Sequence, residues 1–292
     1  MKTSLILPFT PPYNWAAQVP ALARRATAGV EAVGPESYRR TFALSGAHGV
    51  VEVRPASGHD HLVATVDVAD PAVLPEIERR LRWIFDLDCD VGAMMAQLGR
   101  DRYLAEAVAA LPGLRVLGTW DPFELAVRTI LGQQISVAAA TTLAGRLAAA
   151  YGEPLAGRDA AWAEGVGLRT IFPRPEVLAE ADLSGLGITR SRAGWIGALA
   201  RAVAADPAVL QPSDSHQATV ARLCELPGIG PWTAEYIAMR AFHTADAFPA
   251  SDLGLLRALE KIEQPMTTRR ILALAEAWRP WRAYAAIYLW TR

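Results

Sequence analysis

Only two cysteines, Cys89 and Cys224, occur in the 292 residues. They are far apart and lack C-x-x-C spacing, which excludes a disulfide framework and a four-thiolate cluster. Both read as small buried apolar residues. The N-terminus has no apolar run of signal-peptide length, and no segment reaches the ~18 apolar residues of a membrane span. A cytoplasmic protein without membrane contact is expected. Excess charge of either sign is missing as well: 29 Lys+Arg against 30 Asp+Glu leave a formal net charge of −1 and a pI near 6.5. That balance argues against coating nucleic acid by bulk charge and leaves room for a local basic face. Internal repeats, low-complexity segments and transition-metal ligand clusters are absent from the sequence too.

What is present is apolar: 52% hydrophobic residues suffice for one large core or two to three small ones. Residues 1–88 carry short runs with alternating or β-branched apolar residues at Leu5–Leu7, Tyr38–Leu44, Gly49–Arg54 and Leu62–Val68. Helical spacing occupies Asn14–Ala28, with Asn14 as N-cap, and Pro71–Phe85. The order β-α-β-β-β-α predicts an antiparallel sheet with helices on one face. Beyond residue 89 strand signals nearly vanish. Asp121-Pro122-Phe123-Glu124 reads as a capping box opening a helix, Ser136 caps the next, and further helices are predicted near 190–205, 215–225, 231–242, 253–260, 267–277 and 280–291. The fold class is α+β, an N-terminal sheet domain followed by an all-α region.

The densest signal is Leu226-Pro227-Gly228-Ile229-Gly230-Pro231-Trp232-Thr233-Ala234-Glu235-Tyr236, followed by Phe248-Pro249-Ala250-Ser251-Asp252-Leu253. Glycines flanking Ile229 let the backbone turn where a side chain would clash, and Pro231 suits the first position of a helix. Such a hairpin aims unpaired backbone N–H groups outward at the positive end of a helix dipole, where a phosphate oxygen fits. A tight turn between two core helices is the plainer alternative.

The stretch from Leu226 to Arg240 resembles the hairpin of the helix-hairpin-helix superfamily of base-excision DNA glycosylases. Pro11 to Trp15, Asp121 to Val137 and Trp278 to Ala285 extend the likeness, patchily, along nearly the whole chain, toward the 3-methyladenine glycosylase II family. The absence of four closely spaced cysteines sets the iron–sulfur branch aside. The resemblance implies a TATA-binding-protein-like N-terminal domain at 1–88 and a glycosylase core at 89–292. Within that core, 113–243 forms one helical subdomain containing the hairpin at 226–231, and 89–112 with 244–292 forms the second.

It further implies a monomeric, monofunctional enzyme that flips alkylated bases of the 3-methyladenine and 7-methylguanine type out of duplex DNA and leaves an abasic site. Asp252 takes the position of the family's catalytic aspartate. The chemistry suits a carboxylate: cleaving an N-glycosidic bond passes through an oxocarbenium-like transition state, which a nearby negative charge stabilises. Asp252 is equally read as the N-cap of the helix starting at Leu253, and Asp246 is a competing carboxylate. Trp232, Tyr236 and Trp290 are expected to wall the base pocket, since an electron-poor base is gripped by aromatic faces; core packing is the alternative, and Tyr13 and Trp15 are weaker candidates. Gln134 stands where the family inserts a wedge into the DNA stack, and Gly228, Ile229 and Gly230 are the expected phosphate contacts. Trp232 occupies the position of the Schiff-base lysine of bifunctional relatives, so no lyase step is expected. No cofactor is required; the resemblance allows a sodium or potassium ion on the carbonyls of Cys224, Leu226 and Ile229. A non-catalytic DNA-binding module and an oxidised-purine glycosylase are the competing functions.

Overall fold

The computed structural model describes residues 2–68, 70–155 and 160–292. Strands β1 (Lys2–Pro8), β2 (Glu31–Gly34), β3 (Ser37–Leu44), β4 (Ala47–Pro55) and β5 (His61–Val68) form one antiparallel sheet in the order β1-β5-β4-β3-β2. Along β5, Leu62, Ala64, Val66 and Val68 are buried while the residues between them are half-exposed. That alternation sets the register, with Leu5 opposite Ala64 and Val53 opposite Tyr38. Helices α1 (Trp15–Arg25) and α2 (Leu74–Phe85) cover the apolar face through Trp15, Ile77, Leu81, Ile84 and Phe85.

Two details differ from the sequence reading. Strand β2 adds a fifth strand, invisible beforehand because four residues ending in glycine carry too little alternation. Helix α1 stops at Arg25 and not at Ala28, because Ala26 leaves helical space and the Thr27 N–H donates to the Glu31 carboxylate at 3.0 Å.

The rest is helical: α3 (Val91–Leu98), α4 (Ala105–Ala110), α5 (Pro122–Gly132), α6 (Val137–Tyr151), α7 (Ala160–Gly165), α8 (Pro175–Ala179), α9 (Arg190–Ala205), α10 (His216–Cys224), α11 (Pro231–Ala241), α12 (Leu253–Glu260), α13 (Thr268–Ala275) and α14 (Arg282–Trp290). A two-residue ladder pairs Glu153–Pro154 with Thr170–Ile171. Two helical cores result, one from α5, α6, α9 and α11, the other from α3, α4, α12, α13 and α14. No helix among the described residues is long and apolar enough to cross a membrane.

A buried charge network joins sheet to helices. Arg40 of β3 donates to Glu124 at 2.8 Å, Arg128 donates to Glu124 at 2.8 Å and to Glu31 at 3.0 Å, and the Tyr38 hydroxyl donates to Glu31 at 2.7 Å. The capping box is thereby half used: Asp121 accepts from the Glu124 N–H, while the Glu124 carboxylate turns to the two arginines. Burial pushes the Glu31 carboxyl up, but Arg128, Arg40, the Tyr38 hydroxyl and the Thr27 N–H outweigh it and hold it below the ordinary glutamate range. Its contribution to stability is therefore full above the unfolded value of ~4.3 and is lost as pH falls through the lower native value. Unfolding free energy measured against pH should drop below that range, and Glu31→Gln should flatten the drop; an unchanged profile would remove Glu31 from the acid sensitivity.

Candidate active site

The turn from Leu226 to Pro231 is closed by the Ile229 N–H donating to the Leu226 carbonyl at 3.1 Å, and Pro231 opens α11. Gly228 has φ +81°, and a Cβ there would be driven into the Trp195 indole. Gly230 differs from the expectation of an internal clash: its backbone is extended, and a Cβ would meet nothing within 4 Å. Only Gly228 is demanded by the fold itself. The Ile229 side chain, 4% exposed, anchors the turn in the helical core, so only its backbone is available outside. Among the described residues, no backbone N–H outside the regular elements donates to the Cys224 or Ile229 carbonyls, whereas the Leu226 carbonyl is engaged by Ile229.

Beside the turn runs the loop between α5 and α6. Gln134 is exposed at its tip with φ +57°, a left-handed conformation uncommon for a residue with a side chain. Its neighbour, Gln133, escaped the sequence reading. The Gln133 amide donates to the Gly228 carbonyl at 2.7 Å and to the Thr233 hydroxyl at 3.2 Å, and Arg192 donates to the Gln133 carbonyl. The loop tip and the turn are thus tied together.

Asp252 is the N-cap of α12, and its carboxylate does more than cap. Oδ1 accepts from the N–H groups of Gly254 (2.8 Å) and Leu255 (3.0 Å) and from Trp290 Nε1 (2.9 Å), while Oδ2 accepts from Trp232 Nε1 (3.0 Å). Four N–H donors fix the group at the edge of a cleft of about 1190 Å³ that all these side chains line. Gly254 makes the arrangement possible: a Cβ there would lie 2.9 Å from Asp252 Oδ1 and 3.1 Å from the Trp290 ring. A glycine two residues after the aspartate was the available signal. The loop leading to Asp252 is pinned by Glu235 of α11, which accepts from the Phe248 N–H at 2.8 Å and meets His216 at 3.1 Å.

The aromatic residues form one wall. Trp232 and Tyr236, one turn apart on α11, stack with centroids 5.3 Å apart and 9° between planes, and Trp290 stands 6.3 Å from Tyr236 at 56°. The Tyr236 hydroxyl accepts from Arg240 at 2.9 Å. Burial alone would push its phenol up, but Arg240, Arg25 and Arg128 hold it below the ordinary tyrosine range. These arginines were also missed.

Three other candidates lie elsewhere. Asp246 is taken by Arg282, at the start of α14, at 2.7 Å and by Arg279. Trp15 donates to the Pro35 carbonyl, and Tyr13 donates to the Phe85 carbonyl and stacks on Phe9; both belong to the N-terminal core.

Residues 4–121 match the sequence model of the AlkA N-terminal domain, and residues 127–283 that of the HhH-GPD superfamily base excision DNA repair protein. The chain is 36% identical to DNA-3-methyladenine glycosylase 2 of Escherichia coli over 97% of its own length and 95% of that protein. It is 41% identical, over 99% of its length, to the probable bifunctional transcriptional activator/DNA repair enzyme AlkA of Mycobacterium tuberculosis, of which it spans 56%. In fold it is similar to the 3-methyladenine DNA-glycosylase from Archaeoglobus fulgidus, with a TM-score of 0.81 at 20% identity and coverage of 98% of this chain and 97% of that one.

Proposed function

The chain belongs to the HhH-GPD superfamily of base excision DNA repair proteins, and from that premise we propose that it is a monofunctional DNA glycosylase. It binds duplex DNA, flips an alkylated base of the 3-methyladenine or 7-methylguanine type into the cleft and hydrolyses the N-glycosidic bond, leaving an abasic site. The observation that carries this reading is the Asp252 carboxylate, held between the indole N–H groups of Trp232 and Trp290 where the aromatic wall meets the opening of the cleft.

Alkylation already places positive charge on the base, so the leaving group needs little protonation. The sugar needs help. As the glycosidic bond lengthens, positive charge grows on the anomeric carbon, and a carboxylate held rigid by N–H donors offers it a fixed counter-charge without reorganisation. The same oxygen that faces the sugar can orient or deprotonate the attacking water. Trp232, Tyr236 and Trp290 grip the flipped base by stacking and by cation–π attraction, and Gln134 fills the vacated stack. The backbone N–H groups at Gly228 to Gly230 take a phosphate oxygen, which fixes register without reading sequence. A monovalent cation, when bound, would be held by the Cys224, Leu226 and Ile229 carbonyls and would add positive charge beside that phosphate.

On this reading the chain acts as a cytoplasmic monomer, with residues 1–88 as the N-terminal unit and the cleft between helical subdomains at 113–243 and 89–112 with 244–292. The test is release of free base from methylated duplex DNA, with alkali then revealing abasic sites. Base release without spontaneous strand cleavage is the expected result. Because Trp232 stands where a lysine nucleophile would be needed, borohydride should trap no covalent protein–DNA adduct; a trapped adduct would overturn the monofunctional assignment.

A further inference from the structure

Four guanidinium groups converge behind the aromatic wall, and two of them have no counter-charge among the described residues. Arg40 and Arg128 are matched by Glu124 and Glu31 at 2.8 to 3.0 Å. Among the described residues, no carboxylate lies within ion-pair distance of Arg25 or Arg240. Arg240 donates to the Leu117 carbonyl and the Tyr236 hydroxyl. Arg25, at the end of α1, donates to the Ala21 carbonyl of its own preceding turn at 3.4 Å, is also within hydrogen-bonding reach of the Tyr236 hydroxyl, and lines the cleft. The Tyr236 hydroxyl accepts from Arg240, and among the described residues nothing accepts its own proton.

The inner end of the cleft therefore offers more guanidinium N–H groups than the Glu31 and Glu124 carboxylates beside them take up. A guanidinium carries five N–H groups and cannot accept a hydrogen bond. Donors left unused in a partly desolvated site cost free energy until an acceptor arrives, and a second donor brought against them adds to the cost. Uncompensated positive charge also disfavours a cationic ligand relative to a neutral one.

We propose that Arg25, together with the Tyr236 hydroxyl that Arg240 holds in place, is a specificity-determining subsite that reads the 6-position of the flipped purine. It accepts a carbonyl oxygen there and disfavours an exocyclic amine. The proposal rests on the reading of the cleft as the base pocket. It applies to the choice among bases and leaves the bond-breaking role to Asp252. Two probes of similar size differ at the 6-position and in charge: hypoxanthine is neutral with a 6-oxo group, and 3-methyladenine is cationic with a 6-amino group.

The experiment compares single-turnover release of hypoxanthine from an inosine-containing duplex with release of 3-methyladenine from methylated duplex DNA. Arg25→Met keeps the stem and removes donors and charge. The hypoxanthine to 3-methyladenine rate ratio should fall ~10-fold or more, the size expected for losing one charged hydrogen bond. Arg25→Lys should recover part of the ratio, and Tyr236→Phe, which keeps the ring, should shift it in the same direction and covers the case in which Arg25→Met does not fold. A ratio that stays at the wild-type value while both rates fall together would make Arg25 a packing residue and overturn the subsite. So would a wild-type protein that releases 3-methyladenine and no hypoxanthine. Release of neither base by the wild type overturns the glycosylase reading itself, and the subsite with it.

Discussion

Asp252→Asn should lower base excision by ~10²-fold or more, the cost of removing one preorganised electrostatic group from a transition state. The structure makes this substitution informative. The amide oxygen can take the place of Oδ1 and keep the bonds from Gly254, Leu255 and Trp290, so the cap of α12 survives. The amide nitrogen would then face Trp232 Nε1, donor against donor, where Oδ2 now accepts at 3.0 Å. A stability loss of ~1 kcal/mol is expected from that mismatch. Trp232→Phe deletes the same hydrogen bond from the other side and is the control: it should cost similar stability and far less activity. Binding to duplex DNA with an abasic analogue should stay near wild type in Asp252→Asn. Should the variant excise 3-methyladenine at close to the wild-type rate, Asp252 is a helix cap and nothing more.

The two hairpin glycines should part company when replaced. Gly228→Val combines a β-branched residue at φ +81° with a Cβ forced into Trp195. Strain at such a backbone position costs ~1–3 kcal/mol, and overpacking adds a comparable amount. A large fall in melting temperature should follow, with loss of DNA binding as its consequence. Gly230→Val has open space around its new side chain and should melt with the wild type. It should nonetheless bind all duplexes more weakly, lesion-bearing or not, because the added side chain stands where a phosphate must approach. Wild-type affinity should fall only gently with added salt, since backbone N–H groups make that contact. A Gly230→Val protein that binds DNA as tightly as the wild type would take the hairpin out of the interaction.

The contrast between those glycines shows where sequence reasoning ran out. Local signals were legible: Pro231 at the start of a helix, the one-turn spacing of Trp232 and Tyr236, and Asp252 ahead of an apolar run all describe groups within one turn of each other. Whether a glycine answers to its own fold or to an outside partner depends on what lies across from it, and Trp195 sits 33 positions away from Gly228 in the chain. The arginine-lined inner end was hidden for the same reason. Arg40 on β3 and Glu124 on α5 are 84 residues apart and meet only in the folded chain, a pairing that no periodicity records. Gln133 carries no local signal for its role, and only the folded chain puts its amide on the Gly228 carbonyl.

The Arg40–Glu124–Arg128–Glu31 network has a consequence for how this architecture can be taken apart. Its two acids and two bases come half from the sheet side and half from α5; each half holds one pair of its own, Arg40–Glu31 at 4.0 Å and Arg128–Glu124 at 2.8 Å, and the Arg40–Glu124 and Arg128–Glu31 pairs cross between them. A fragment beginning near residue 89 would keep Glu124 and Arg128 and lose both of their outside partners, and a graft of a foreign sheet unit would have to bring its own arginine to the same depth. Removing one member of such a set typically costs ~3–5 kcal/mol, a large share of a domain's total stability. The sheet unit is thereby bound to its helices as a matched set, inherited or engineered together, and not a detachable module beside an autonomous catalytic body.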